Sequence, residues 1–394
     1  MKILFITSHP IQYNAPLFSY LSKYSNYTVK VFYTLGKNNN VSLDNGFGVR
    51  EHWNIDLLSG YDFEFIENTS SRPSSLTYWG IKNPSIFKNI RCYNPDAIII
   101  YGWKYHSHFS VLQYFHKKIP IIFRGDSTTL DDSLLFSFRS YFRYAFLKLI
   151  YSKVDFVLSP GSASDSYFIK SGVQEANIIR SVHAVDNFRF SVFSEDDHQS
   201  LSAIKDRLAI AIHDTVFLFA GKFIDKKNPL LLVKAFNKVA IKNQNVRLVI
   251  VGDGILESAI KQHITNLDHS IGDRIHLFPF QDQQNIKLFY RLASVFILPS
   301  KSETWGLSIN EALVSGTPVL VSNQCGCAYE IVQEGKNGYI FKSDDLNDLE
   351  AKMLLCCNEK HRNFLASNAA KSASGFSFHA IKESIDKIIS LIEK

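Results

Sequence analysis

The sequence predicts an α/β protein made of two doubly wound, parallel-sheet domains. Two observations carry that expectation: short runs rich in Ile, Val and Phe recur with helical patterns between them, and the runs come in two series. Length agrees, because 394 residues exceed the ~250–300 at which one hydrophobic core stops growing.

The first series is K-I-L-F-I-T (2–7), T-V-K-V-F-Y (28–33), D-A-I-I-I-Y (96–101), I-P-I-I-F (119–123) and D-F-V-L-S (155–159). The second is T-V-F-L-F-A-G (215–221), R-L-V-I-V-G (247–252), I-H-L-F-P-F (275–280), S-V-F-I-L-P-S (294–300) and P-V-L-V-S (318–322). Apolar side chains on successive residues fit strands buried on both faces. Strands that alternate with helices fit crossover connections and a parallel sheet. The polar stretch S-E-D-D-H-Q-S (194–200) marks the expected join, giving domains 1–192 and 193–375. Residues 376–394 are expected to form an amphipathic helix packing back towards the first domain, with Ile381, Ile385, Ile388, Ile389 and Ile392 at helical spacing. A cleft is expected between the sheets, and residues just after each strand are the ones to read for chemistry.

Composition narrows the class. Hydrophobic residues at 46% and charged residues at 20% exclude disordered and fibrous proteins. No apolar run approaches the ~18 residues of a spanning helix, and M-K-I-L-F-I-T-S-H-P turns polar too early for a signal peptide, so a cytoplasmic protein is expected. Five cysteines without framework spacing fit reduced thiols. Cys325-Gly-Cys327 is a lone C-x-C, better read as loop cysteines than as a metal site. Residues 1–190 carry 20 basic and 14 acidic side chains, leaving 23 of each for the remainder. The N-terminal excess fits either an anionic partner or an ordinary soluble surface.

The richest stretch is S-E-T-W-G-L-S-I-N-E-A-L (302–313), between a strand and a helical pattern. Backbone N–H groups of Gly306 and Leu307 at a helix start favour an anion such as a diphosphate. The carboxylates of Glu303 and Glu311 suit hydroxyl groups instead. An anion site flanked by two hydroxyl acceptors fits a nucleotide sugar. Taken alone, the stretch also fits a plain helix start, with Glu303 favouring the first turn and Glu311 solvated. The loop G-K-F-I-D-K-K-N-P after Gly221 adds Lys222 and Lys227, placed to reach a phosphate. V-G-D-G-I-L (251–256) has Glu257 where a dinucleotide fingerprint needs its third glycine, which argues against a dehydrogenase.

This combination resembles the family 4 retaining glycosyltransferases of GT-B fold, whose two Rossmann-like domains face an inter-domain cleft. The resemblance rests on E-T-W-G-L-S-I-N-E as the E-x7-E motif, the following A-L-V-S-G-T-P-V-L-V-S, C-G-C-A-Y-E-I-V, G-K-N-G-Y-I-F and the G-K-F…K-K-N-P loop. It covers residues 215–345 closely and the N-terminal half only in layout. By the resemblance, Glu311 would bind the donor's ribose hydroxyls and Glu303 would face the transferred sugar as a catalytic group. Gly221, Lys222, Lys227 and Gly306 to Ser308 would hold the diphosphate. The family usually has Arg where this chain has Lys222, which replaces a bidentate grip by a point charge. The donor implied is a UDP-sugar, the acceptor a glycan or lipid-linked glycan of surface polysaccharide or lipopolysaccharide synthesis, and no metal or other cofactor is expected.

The N-terminal half departs from the family pattern. S-H-P-I-Q-Y stands where many members have a glycine pair, and Asp126 stands where several have a histidine. Asp126 is assigned as a second catalytic residue, contacting the donor sugar or orienting the acceptor, or else it pairs with Arg124 and shapes the loop. His9, Gln12, Tyr13 and His106 are candidates for the acceptor. Residues 134–153, rich in aromatics with Arg139, Arg143, Lys148 and Lys153, fit either a helix on an anionic membrane or, preferred here, one buried beside the first sheet. No nucleic-acid module is recognised. The rival functions are a nucleotide-sugar epimerase of the same fold and a non-catalytic nucleotide-sugar-binding subunit.

Overall fold

The computed structural model describes residues 1–37, 55–130 and 138–393, with backbone alone for residues 138–140. Residues 134–137 of the aromatic and basic stretch, and the side chain of Arg139, lie outside the described residues.

Two parallel sheets organise them. The first contains β1 (Lys2–Thr7), β2 (Thr28–Tyr33), β3 (Asp62–Phe65), β4 (Ala97–Tyr101), β5 (Ile121–Arg124), β6 (Phe156–Ser159) and β7 (Ile178–Arg180), in the order β3-β2-β1-β4-β5-β6-β7. The second contains β8 (Thr215–Ala220), β9 (Val246–Val251), β10 (Ile275–Phe278), β11 (Val295–Leu298), β12 (Val319–Ser322) and β13 (Gly338–Phe341), in the order β10-β9-β8-β11-β12-β13. Helices cover both sheets. The Ile98–Ile100 run, for example, is fully buried, as a strand sandwiched between helices must be.

Each sheet winds outward from its middle in both directions. In the first the strand order reverses between β1 and β4, and in the second between β8 and β11. At such a reversal the crossover helices leave on opposite faces, so a crevice opens beyond the carboxyl ends of the two strands.

The chain divides into two units. Among the described residues the first holds 1–37, 55–183 and 378–393, and the second holds 184–377. The division falls after His183, ahead of the expected join at 192/193. The helix Asn187–Ser191 explains the difference: Phe190 packs on Tyr290, and its carbonyl accepts from Ser315 Oγ, both in the second unit. The polar stretch read as a join is instead the first turn of the helix Glu195–Arg207. There Ser194 and Asp197 cap each other reciprocally. The helix Phe378–Ile392 lies in the first unit with Ile381, Ile385 and Ile388 buried, and Phe378 meets Tyr20.

Candidate functional site

In the second unit, the loops after β8 and β11 stand on either side of the strand-order reversal. The β8 loop runs backbone to backbone against the β9 loop: Gly221 N donates to Val251 O (3.0 Å), Phe223 N to Asp253 O (2.7 Å) and Leu256 N to Phe223 O (2.9 Å). Gly252 and Gly254 have φ of 142° and 146°, and a Cβ on either would enter the backbone of Gly221 or Phe223. The G-D-G pair is thus a packing device that lets two strand ends touch. Lys222 sits at this junction, where its charge opposes the rise that burial, and then Glu257, impose on the Asp253 carboxyl.

The turn Asp225–Lys227 ends at Asn228, which takes the left-handed conformation before Pro229 opens the helix Pro229–Lys242. This turn is fastened to the β11 loop. Lys301 N donates to Lys226 O (2.8 Å), Lys301 Nζ pairs with Asp225 Oδ1 (2.7 Å), and Lys227 Nζ pairs with Glu303 Oε2.

Glu303 is held on its other side by the segment after β12. Its N–H donates to Gln324 O (2.9 Å), its carbonyl accepts from Gly326 N (2.9 Å), and Trp305 O accepts from Cys327 N (3.1 Å). Burial, and after it the Glu303 carboxylate, pushes the Cys325 thiol far up; burial and Cys325 do the same for Cys327, with Glu303 adding to both. Both buried thiols therefore stay protonated beside the carboxylate. Among the described residues no group of three or more His, Cys, Asp or Glu side chains is arranged to hold a metal ion.

Gly306 precedes the helix Leu307–Val314 with φ of 100°. A Cβ there would come within 2.9 Å of Leu298 Cδ2, and it would face Cys327 Sγ and Glu303 Cγ at 3.4 and 3.5 Å. No side chain caps this helix start, and the first-turn amides of a helix have no intrahelical acceptor. Leu307 and Ser308 are half-buried.

Glu311 is only 4% exposed, and its Oε2 accepts from Tyr290 Oη at 2.6 Å. The plain reading of Glu311 as a solvated helix residue is thereby overturned. The plain reading of Glu303 fails as well, since it precedes the first turn and pairs with Lys227. Trp305 and Asn310 serve the loop itself, the indole N–H donating to Asn310 Oδ1 at 2.9 Å. Tyr290→Phe is expected to cost about 1.5–3 kcal/mol, because it removes a buried hydrogen bond to an acidic acceptor. Urea denaturation reads this, and a loss below about 0.5 kcal/mol would show that the bond contributes nothing.

In the first unit, the loops after β1 and β4 likewise flank the reversal. His9 Nδ1 lies 2.9 Å from Ser8 Oγ and burial lowers its pKa; Gln12 is buried and Tyr13 precedes the helix Asn14–Tyr24. His106 opens the helix His106–Phe115 and stacks on Trp79, with ring centroids 5.0 Å apart. Burial, then Lys82, lowers its pKa. His108 differs in kind: it is buried between Thr34 Oγ1 (2.8 Å) and Gly102 O (2.9 Å), and burial lowers its pKa to about 4. It is a neutral structural group. At the end of β5, buried Arg124 donates to the carbonyls of Ser181 and Val182, fastening β5 to the segment after β7. Asp126 is exposed, and after Tyr101 its charge opposes the lowering of the Arg124 pKa by burial.

The structure thus joins Lys227, Glu303 and Gly306 in one cluster, with Glu311 on the helix that Gly306 starts. Sequence reasoning assigned no role to Tyr290, which sits in the plain helical run I-K-L-F-Y-R-L, or to Trp79, whose exposure gives no sequence signal.

The preferred burial of the aromatic and basic stretch beside the first sheet holds for one face, where Leu147, Ile150 and Tyr151 are buried in the core, and fails for the other. The helix Phe138–Tyr151 turns Tyr141, Phe142, Phe146 and Leu149 outward, and only part of its circumference packs on the sheet. No helix among the described residues is long and apolar enough to cross a membrane.

Comparison with known proteins places this geometry. Residues 202–372 match the family described as glycosyl transferases group 1. A D-inositol 3-phosphate glycosyltransferase of Xylanimonas cellulosilytica is 28% identical over 195 residues, 49% of this chain and 46% of that protein. A lipopolysaccharide 1,2-N-acetylglucosaminetransferase of Salmonella typhimurium is 28% identical over 181 residues, 44% of this chain and 46% of the relative. The chain spans about half the length of the curated relatives it matches. Among solved structures, Anabaena Alr3699/HepE in complex with UDP aligns over 99% of this chain and 100% of its own, with a TM-score of 0.73 at 19% identity. Residues 202–372, which hold Lys222, Lys227, Glu303 and Glu311, thus match the glycosyl transferases group 1 family, and the fold is two parallel-sheet Rossmann-like domains whose structural neighbours are GT-B glycosyltransferases.

Proposed function

We propose that the protein is a retaining glycosyltransferase of family 4, moving a sugar from a nucleotide-sugar donor, a UDP-sugar, to a glycan or lipid-linked glycan in surface polysaccharide synthesis. One observation carries the reading: the carboxylate of Glu303, charge-paired with Lys227, stands beside a glycine-opened, uncapped helix start at the strand-order reversal of the second sheet. The E-x7-E spacing and the matches to glycosyltransferases support it.

The roles follow from charge. Amides of Gly306 to Ser308, with Gly221, Lys222 and Lys227, hold the donor diphosphate at the positive end of the helix. As the anomeric C–O bond breaks, the electron pair leaves with the diphosphate, whose growing charge these groups stabilise. Positive charge builds on the sugar, and Glu303 faces it. The acceptor hydroxyl then bonds to the anomeric carbon, and its proton leaves with the departing phosphate. Glu311, hydrogen-bonded to Tyr290, is assigned to the ribose hydroxyls of the donor. Asp126, His9, Gln12, Tyr13 and His106 are assigned to the transferred sugar and acceptor. A location at the inner, anionic face of a membrane belongs to the same reading.

Thermal unfolding with UDP, GDP, ADP and their sugar conjugates, without metal and then with magnesium, tests the donor site. UDP at a hundredfold excess over its dissociation constant is expected to stabilise the fold by about 2.7 kcal/mol, with no need of metal. No shift with any nucleotide would reduce the motif to a helix start. Conversion of a UDP-sugar in the absence of acceptor would favour an epimerase instead.

A further inference from the structure

The loop from β3 to the helix Ile86–Tyr93 is tied down along its length. Asn68 donates from Nδ2 to Gly80 O (2.9 Å) and accepts at Oδ1 from Lys82 N (2.9 Å), Ser70 Oγ donates to Trp79 O (2.7 Å), and Tyr105 Oη donates to Ser75 O (3.0 Å). A Cβ on Gly80 would meet Ser74 O at 2.1 Å, so the loop closes on its own backbone there. This fixed backbone nevertheless turns Trp79 outward, 58% exposed. A lone exposed apolar side chain is ordinary. A large ring held out by a pinned loop is a preorganised contact surface, because it loses little freedom when a ligand arrives.

Trp79 also has company. His106, the first residue of the helix after β4, stacks on it with ring centroids 5.0 Å apart, and Tyr78 stands edge-on to both rings at 4.8 and 5.9 Å. Burial, then Lys82, lowers the His106 pKa, so this ring is a neutral aromatic partner at pH 7 and not a second cation. The result is an indole backed by an imidazole, with a phenol upright beside it, beyond the carboxyl ends of β3 and β4. Of these, β4 borders the strand-order reversal of the first sheet. One face of a pyranose is a patch of C–H groups with slight positive charge, which suits the negative face of an aromatic ring, while its hydroxyls need polar neighbours. Residues 68–82 offer six Ser or Thr hydroxyls, with two basic and no acidic side chains. Lys82 holds Nζ 4.7 Å from the Trp79 ring centroid and pairs with no carboxylate among the described residues. A cation resting on a part-exposed ring is held weakly and on a flexible stem, so an anionic group on the sugar can draw it away.

We propose that Trp79, with Tyr78 and Lys82, forms a subsite for an anionic sugar, a hexose unit bearing a carboxylate or a phosphate, whose pyranose face lies on the indole while Lys82 Nζ pairs with the acid. Naming this sugar as part of the acceptor rests on the transferase reading. Its binding stands on these residues alone.

Ligand-observed NMR titration of the full chain with short oligosaccharides that end in glucose, glucuronate or a glucose phosphate tests the subsite. One of the two acid-ended series is expected to bind at least about tenfold more tightly than the neutral one, and which of them does so identifies the acid. Trp79→Ala, altered at an exposed position, is expected to weaken every series by about tenfold or more, and Trp79→Phe, which keeps an aromatic face, by far less. Lys82→Gln is expected to bring the acid-ended series down to the neutral one while leaving the neutral one within about twofold. Thermal midpoints are expected to stay unchanged in all three variants. The UDP response reads the other site: a protein that binds sugar through Trp79 yet ignores UDP keeps the subsite and loses the transferase reading. No binding of any series, or Trp79→Ala binding as the wild type does, overturns the subsite whatever UDP does. Equal binding of neutral and acid-ended series overturns the role of Lys82 and with it the anionic sugar. A wild-type dimer that Trp79→Ala dissolves, with no sugar bound, assigns the ring to a second copy and overturns the proposal as well.

Discussion

Glu303→Gln is expected to lower the turnover of sugar transfer by about 10²–10³-fold while leaving UDP affinity within about threefold. Glutamine keeps the side-chain length and an oxygen for Lys227, so the tie between the β8 and β11 loops survives. On the proposed transferase reading, what disappears is the negative charge facing a sugar that becomes cationic only as its bond to phosphate breaks. An interaction that strengthens in the transition state shows in kcat rather than in ground-state binding. Initial rates at saturating donor, beside calorimetric titration with UDP, separate the two quantities. A variant with wild-type turnover would leave Glu303 as no more than the counter-ion of Lys227.

Gly252→Ala is expected to destabilise the second unit by about 2–4 kcal/mol, combining a backbone conformation closed to L side chains with overpacking. Its φ of 142° and the Gly221 carbonyl act together, because the methyl group would be driven into backbone that cannot rotate aside. Relief requires the β8 loop to move, and that loop carries Gly221 and Lys222. Urea denaturation should therefore show a lower midpoint, and weaker UDP binding should accompany it at temperatures where the variant remains folded. A midpoint shift equivalent to less than about 1 kcal/mol would mean that the two strand ends have room to part.

The sheets were legible where strands are buried on both faces. β1, β2, β4, β5 and β6, and β8 to β12, all show mostly apolar runs, interrupted by Lys30 in β2, Arg247 in β9 and His276 in β10, the last itself an edge strand. The strands absent from the sequence reading are β3, β7 and β13, which lie at sheet edges. Their partial exposure relaxes the demand for an apolar side chain at each position, as in D-F-E-F. At the candidate site, the E-x7-E spacing and the lysine loop could be picked out because they sit directly after recognisable strands. Their pairing could not: Lys227 and Glu303 are 76 residues apart, and only the adjacency of β8 and β11 brings them together. The same holds for Tyr290 and Glu311, joined across two helices. Residues 138–151 were legible only in part, for another reason. Their pattern holds two apolar arcs, and a sequence wheel cannot say which one faces the sheet.

The helix Phe378–Ile392 belongs to the first unit although it follows the whole of the second. During synthesis the ribosome therefore finishes the segment 184–377 before it supplies Ile381, Ile385 and Ile388 to the unit begun at residue 1. For that interval the surface those three isoleucines cover is left to solvent or to chaperones. Vectorial synthesis usually lets an N-terminal domain mature first; here the order of completion is reversed.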